Sequence, residues 1–303
     1  MSWQPLTPQS YVLGESPFWH PFEQQLYWVD IQGKQIHRCN VFMRSVESWA
    51  MPSEPGCIAP ARAGGLVIAL RDGIYRADQW AGPLVQLAAA QHDTTTTRFN
   101  DGKADPVGRF WVGTMFEPRT AQSAELFTLN GTVLESKLGD ATIANGLAWS
   151  ADASTLYWAD TPSHAVRAWN WDAQANNLTH ERVVKQFPAK PANWAFGAPG
   201  FDSYGGRPDG AAVDVEGNYY VAMFEGARIC KLSPSGVELG SIAVPCQCPT
   251  MPCFGGDDLK TLYITTARYQ RSDAELRAFP QSGCVFSMRV DVPGLPVNFY
   301  NDP

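Results

Sequence analysis

Long apolar runs are missing from this 303-residue chain. Its apolar stretches, such as Gly65-Leu66-Val67-Ile68-Ala69-Leu70, fall far short of a bilayer span. No membrane partner is expected. The N-terminal Met1-Ser2-Trp3-Gln4-Pro5 has neither a basic start nor a long apolar stretch, so no signal peptide and a cytoplasmic location are expected. Charge is scarce too. Only 17% of residues are charged, the net charge is −7, and no run of like charges forms a tail. A basic face for phosphates is therefore absent, which excludes a nucleic-acid binder. The seven cysteines are scattered and odd in number, which does not suit a disulfide scaffold. Cys246, Cys248 and Cys253 cluster without a CxxC pair or a following Cys/His pair, and read as small residues entering a strand rather than a thiolate metal site. The sequence has no Gly-x-Ser-x-Gly elbow, no HExxH and no phosphate-binding glycine loop. The five histidines, His20, His37, His92, His164 and His180, read as structural or surface residues rather than ligands.

What is present is 45% hydrophobic residues, 12% aromatics, 26 glycines and 23 prolines, as a fold of many strands and turns requires. The chain repeats itself. A polar or glycine turn leads into an apolar strand, a second turn, and a strand of the type Leu26-Tyr27-Trp28-Val29-Asp30, then amphipathic strands. Six such units begin at Glu15, near Cys57, at Asn100, at Asn145, at Asp209 and near Pro252. Their spacing is close to the roughly 40–45 residues of a four-stranded propeller blade. The expected fold is all-β: a six-bladed β-propeller of four-stranded antiparallel blades, one domain over residues 1–303, around a central metal site. Ring closure is expected from pairing of the segment around Tyr11-Val12-Leu13 with the last blade. One Gly/Pro-rich insertion with several aromatics, residues 188–207, separates the fourth and fifth units. It reads either as a surface connector or as a wall over the site.

In a propeller the innermost strands converge on the central channel. Glu15, Asn100, Asn145 and Asp209 open the innermost strands of units one, three, four and five. Singly, Asn-Gly and Asp-Gly are ordinary turn pairs. Their recurrence at equivalent places, and a glutamate where turns rarely use one, point to a shared oxygen site for a hard or borderline divalent cation.

These same stretches resemble the SMP-30/gluconolactonase (regucalcin) family: Leu13-Gly14-Glu15-Ser16-Pro17-Phe18-Trp19, Arg98-Phe99-Asn100-Asp101-Gly102-Lys103, Ala144-Asn145-Gly146-Leu147 and Pro208-Asp209-Gly210. The resemblance implies a metal held by Glu15, Asn145 and Asp209, with Asn100 and Arg98 contacting substrate. It also implies that the chain hydrolyses a sugar lactone, aldono- or aldaro-, to the acid. Some animal members carry a glutamate pair after the third blade's Gly-Thr-Met, one of which contacts substrate; here Met115-Phe116-Glu117-Pro118 leaves only Glu117. The chemistry suits the residues. A divalent cation (Ca²⁺, Zn²⁺, Mn²⁺, Mg²⁺ or Fe²⁺) polarises a carbonyl, and Asp209 either takes the proton of the attacking water or serves only as a ligand. Arg98 and Arg207 would hold substrate hydroxyls or a carboxylate. Alternatives are another ester or phosphotriester hydrolase on the same propeller, and a non-catalytic calcium-binding regulator. The expected partner is a small sugar lactone, and the expected state a monomer or weak oligomer.

Overall fold

A computed structural model describes residues 2–302. Their strands form six four-stranded antiparallel sheets, the blades of a propeller. Blade one comprises Gly14–His20, Gln25–Asp30, Gln35–Asn40 and Ser45–Ala50, ordered from the channel outward. The innermost strands of the other blades are Pro55–Pro60, Thr97–Ala104, Ala144–Trp149, Arg207–Val213 and Pro249–Gly255.

Burial follows distance from the channel. Gly14–His20 is buried at every position, whereas the outermost strand Ser45–Ala50 has no fully buried residue. The inner strands are covered on both faces by adjacent blades, so they read as continuous apolar runs; the outer strands have a wet face and alternate. The core therefore lies between blades. Val67 of blade two packs with Phe110, Val112 and Phe127 of blade three, and Trp111 of blade three meets Trp149 of blade four edge-on at 5.9 Å. Each fully buried Phe or Leu in these seams stabilises the ring by about 1.5–3 kcal/mol.

Ring closure differs from expectation. The fourth strand of blade six is Gln4–Pro5, which pairs with Phe286–Arg289. The Tyr11–Leu13 segment meets the last blade without forming a strand of it: Leu13 makes an isolated bridge to Ala267, Tyr11 N donates to the Gly283 carbonyl at 2.8 Å, and the Val12 carbonyl accepts from Arg268 N at 3.0 Å and Tyr269 N at 2.9 Å. Leu13 cannot extend the sheet outward because it leads directly into the innermost strand of blade one. The C-terminal tail is a further feature. It crosses the end of the channel remote from Asp209, through bonds from Leu295 N to Val213 O, Tyr300 N to Pro60 O and Asn301 N to Gly108 O. The tail thereby ties blades five, two and three together. No helix of the described residues is long and apolar enough to cross a membrane.

Candidate active site

The innermost strands share one local irregularity. Register slips between Glu15 and Phe18, Phe99 and Gly102, Asn145 and Ala148, and Pro208 and Ala211. A bulge inserts extra residue length, bends the strand and re-aims a side chain. Each of the four residues expected at the site sits in or beside such a bulge. Gly146 shows why the turn chemistry is fixed: its φ is +64°, and an added Cβ would press on the Tyr219 hydroxyl. Blades two and six carry the same slip, at Gly56 and Thr250, without a ligand side chain.

The Leu-Tyr-Trp-Val-Asp strands set the other end of this geometry. Asp30 accepts the amides of Val12 and Leu13, both at 2.9 Å. Asp160 accepts those of Thr142 and Ile143, both at 3.0 Å. These repeated aspartates hold the chain as it enters the strands that carry Glu15 and Asn145.

All seven site residues expected from the sequence line one cavity of about 550 Å³. Glu15, Asn100, Asn145 and Asp209 are each less than 10% exposed. Asn145 is fixed from two sides: its Nδ2 donates to Thr161 Oγ1 at 2.8 Å, and its Oδ1 accepts from Asn100 Nδ2 at 3.0 Å. Asn100 in turn presents its Oδ1 to Arg98 Nη1 at 2.7 Å, so its amide faces Arg98 and blade four. Arg98 is buried, and its Nε has no hydrogen-bond partner.

Glu15 and Asp209 carry the electrostatic strain of the site. Burial first, then Asp209 and Asp101, push the Glu15 carboxyl well above the usual carboxylate range. Burial and then Asp101 do the same to Asp209. Neither has a Lys, Arg or His within ion-pair distance among the described residues. Two desolvated carboxylates facing one space, with the Asn145 amide oxygen beside them, form an all-oxygen set lacking counter-charge. That set fits one hard or borderline divalent cation, whose charge relieves the repulsion that burial creates.

Glu117 lies at the same cavity but is not free. Arg71 of blade two grips its carboxylate at 2.9 and 3.1 Å, and Arg98 Nε lies 3.8 Å away. The 188–207 insertion contributes both of its ends: Lys190 and Arg207 line the cavity. Trp194 packs on Tyr204 at 5.5 Å, and Phe196 reaches Phe279 at 6.0 Å beside the short helix Asp273–Ala278.

Several residues escaped sequence reasoning. Thr161, which also donates to the Pro208 carbonyl at 2.7 Å, links the strands of Asn145 and Asp209. Asp101 lies beneath the site and accepts from Leu147 N at 2.9 Å. Glu225, Arg271 and Arg119 complete one wall. Only Asp101 had a visible signal, its place in Asn100-Asp101-Gly102-Lys103. All seven cysteines are buried and unpaired, and no histidine lines the cavity.

Residues 13–268 match the profile of the SMP-30/Gluconolactonase/LRE-like region. The chain belongs to that family. Among its relatives, a 6-deoxy-6-sulfogluconolactonase of Pseudomonas putida is 41% identical over 287 residues, covering 94% of each chain. A regucalcin of Danio rerio is 33% identical over 294 residues, covering 95% of this chain and 94% of that one. The crystal structure of a calcium-binding protein, regucalcin, from Agrobacterium tumefaciens superposes with a TM-score of 0.89 at 24% identity, over 99% of this chain and 97% of that one, and shows the same fold. Family membership thus covers the blades that supply all four oxygen residues.

Proposed function

We propose that the protein hydrolyses a sugar lactone to its open-chain acid, with Glu15, Asn145 and Asp209 holding one divalent cation and Asp209 acting as general base. One observation supports this most strongly: two buried, uncompensated carboxylates and a fixed amide oxygen meet at the floor of a sugar-sized cavity. Lactone hydrolysis is the chemistry named in the family and in the sulfogluconolactonase relative.

When bound, the cation makes a carbonyl more electrophilic and carries negative charge that develops on its oxygen. The chain's own residues do the rest. Asp209 takes a proton from water as the water oxygen bonds to the lactone carbon. The ring C–O bond then breaks, and the leaving ring oxygen collects that proton from Asp209, giving a hydroxy acid. Arg98, pinned by Asn100 and the Phe99 carbonyl, lines the cavity and meets substrate oxygens with its guanidinium. Asn100 keeps Asn145 turned with Oδ1 toward the site.

Asp209→Asn removes the base and one anionic ligand oxygen while keeping the side chain's size. Its melting curve is expected to match the wild type and its lactone hydrolysis to vanish. Wild-type turnover in that variant would sink the assignment.

A further inference from the structure

One wall of the cavity carries cations that neither the proposed metal ligands nor the proton transfer uses. Arg119, Lys190, Arg207 and Arg271 all line it. Among them lies Glu225, only 3% exposed. Its carboxylate is 2.8 Å from Lys190 Nζ, 3.0 Å from Arg271 Nη1 and 3.3 Å from Arg207 Nη2. Burial pushes Glu225 up, but Arg207, Lys190 and Arg271 more than offset this and hold it below the usual value. Glu275 takes a second share of Arg271, at 2.7 Å. Two carboxylates against four cations leave this wall positive.

Glu225 does not saturate the donors of this wall. The Nε of Arg207 is buried without a hydrogen-bond partner. Arg119 is exposed at the cavity and makes no side-chain hydrogen bond or ion pair among the described residues, and Arg207 is among the charges that act on it. Both guanidiniums line the same cavity, Arg119 without an ion pair among the described residues and Arg207 sharing Glu225 with Lys190 and Arg271. Aromatic rings hold their neighbours in place: Arg207 lies over Phe224 at 5.4 Å and Lys190 over Trp194 at 4.5 Å. Around Glu117 there is no such excess, because Glu117 and Glu54 both meet Arg71 and Glu117 also faces Arg98. A buried unpaired donor is costly, and a positive cluster left over in a binding cavity is suited to an anion that arrives with the ligand.

We infer that Arg119 and Arg207 form a subsite for a second anionic group on the substrate, a carboxylate or a sulfonate, so that the preferred substrate is an acidic sugar lactone. This rests on the lactonase reading above and narrows it. Lys190 and Arg271 act indirectly, by sharing Glu225 with Arg207 so that the wall keeps a net positive charge.

The test compares kcat/KM for gluconolactone, glucarolactone and a 6-sulfonated gluconolactone, in wild type and in Arg119→Gln, at low and high salt. Arg119 is exposed, so the variant is expected to fold. The wild type should prefer at least one acidic lactone by about tenfold or more, as a charge-assisted hydrogen bond implies. Arg119→Gln should lower that preference by about 10- to 100-fold, mainly through KM, and Arg119→Lys should recover part of it. Which acidic lactone is preferred separates carboxylate from sulfonate. Equal or better use of gluconolactone by the wild type, or a preference untouched in Arg119→Gln, overturns the subsite while leaving the lactonase reading intact. If no lactone is opened, calorimetry of glucarate against gluconate decides the subsite separately: tighter glucarate binding that is lost in Arg119→Gln supports it, and equal binding refutes it.

Discussion

Replacing Thr161 by valine removes a single hydroxyl and almost no volume, yet that hydroxyl joins two candidate ligand strands. It accepts from Asn145 Nδ2 at 2.8 Å and donates to the Pro208 carbonyl at 2.7 Å, the residue before Asp209. Thr161, Asn145 and Pro208 are all buried, and only the cavity that Thr161 and Asn145 line brings water near the abandoned groups. An unpaired buried donor or acceptor costs about 1–3 kcal/mol, so the two together amount to about 2–4 kcal/mol after local relaxation. That is a large share of a typical folding stability of about 5–15 kcal/mol. The second consequence is functional. With its Nδ2 released, the Asn145 amide can rotate away, and loss of such a supporting bond weakens metal affinity by about 10- to 100-fold. Urea titration and metal calorimetry on Thr161→Val measure both effects, and Thr161→Ser should restore both. If Thr161→Val bound a divalent metal as tightly as the wild type, the positioning role assigned to the hydroxyl would be wrong.

Gly56→Ala would place a Cβ 2.5 Å from the Phe99 carbonyl and 2.9 Å from Asn100 N, so the strand carrying Asn100 must move. Lactone kcat/KM is expected to fall at least tenfold in a protein that still folds; unchanged kinetics would show that the inner strands tolerate displacement. His37 gives a pH prediction. Burial lowers its pKa to about 4, against about 6.5 in the unfolded chain. The unfolded state therefore binds the proton first, and this stability is intact above pH 6.5 and is lost as pH falls towards 4, by up to about 3 kcal/mol. Denaturant midpoints across that range should drop more steeply in the wild type than in His37→Gln, and parallel profiles would refute the assignment.

The fold was legible because each blade announces itself. Turn, apolar strand, turn and a second strand recur along the chain, and in blades one and four that second strand ends in an aspartate to which structure gives a reason: Asp30 and Asp160 hold the approach to the innermost strands. Asn100, Asn145 and Asp209 were legible because the bulge that aims them draws on turn-forming residues, and Glu15 because turns rarely use a glutamate. What stayed hidden is built from distant partners. Glu225 pairs with Lys190 and Arg271 across 35 and 46 residues, and Thr161 reaches Pro208 across 47. No local pattern encodes such contacts. The closing strand Gln4–Pro5 is two residues long, too short for alternation to show. The C-terminal tail has no repeat to betray it. Glu117 was expected to contact substrate; its grip by Arg71 follows from the packing of blade two on blade three, which sequence does not display.

The central claim is that a divalent cation in the Glu15, Asn145 and Asp209 set drives lactone opening. The decisive measurement strips the protein with chelator, returns single divalent metals, and follows acid release from gluconolactone, xylonolactone, galactonolactone and glucarolactone with a pH indicator. Turnover that disappears on stripping and returns with a metal on at least one lactone is the predicted result. Turnover indifferent to stripping, or tight metal binding without hydrolysis of any lactone, would contradict it.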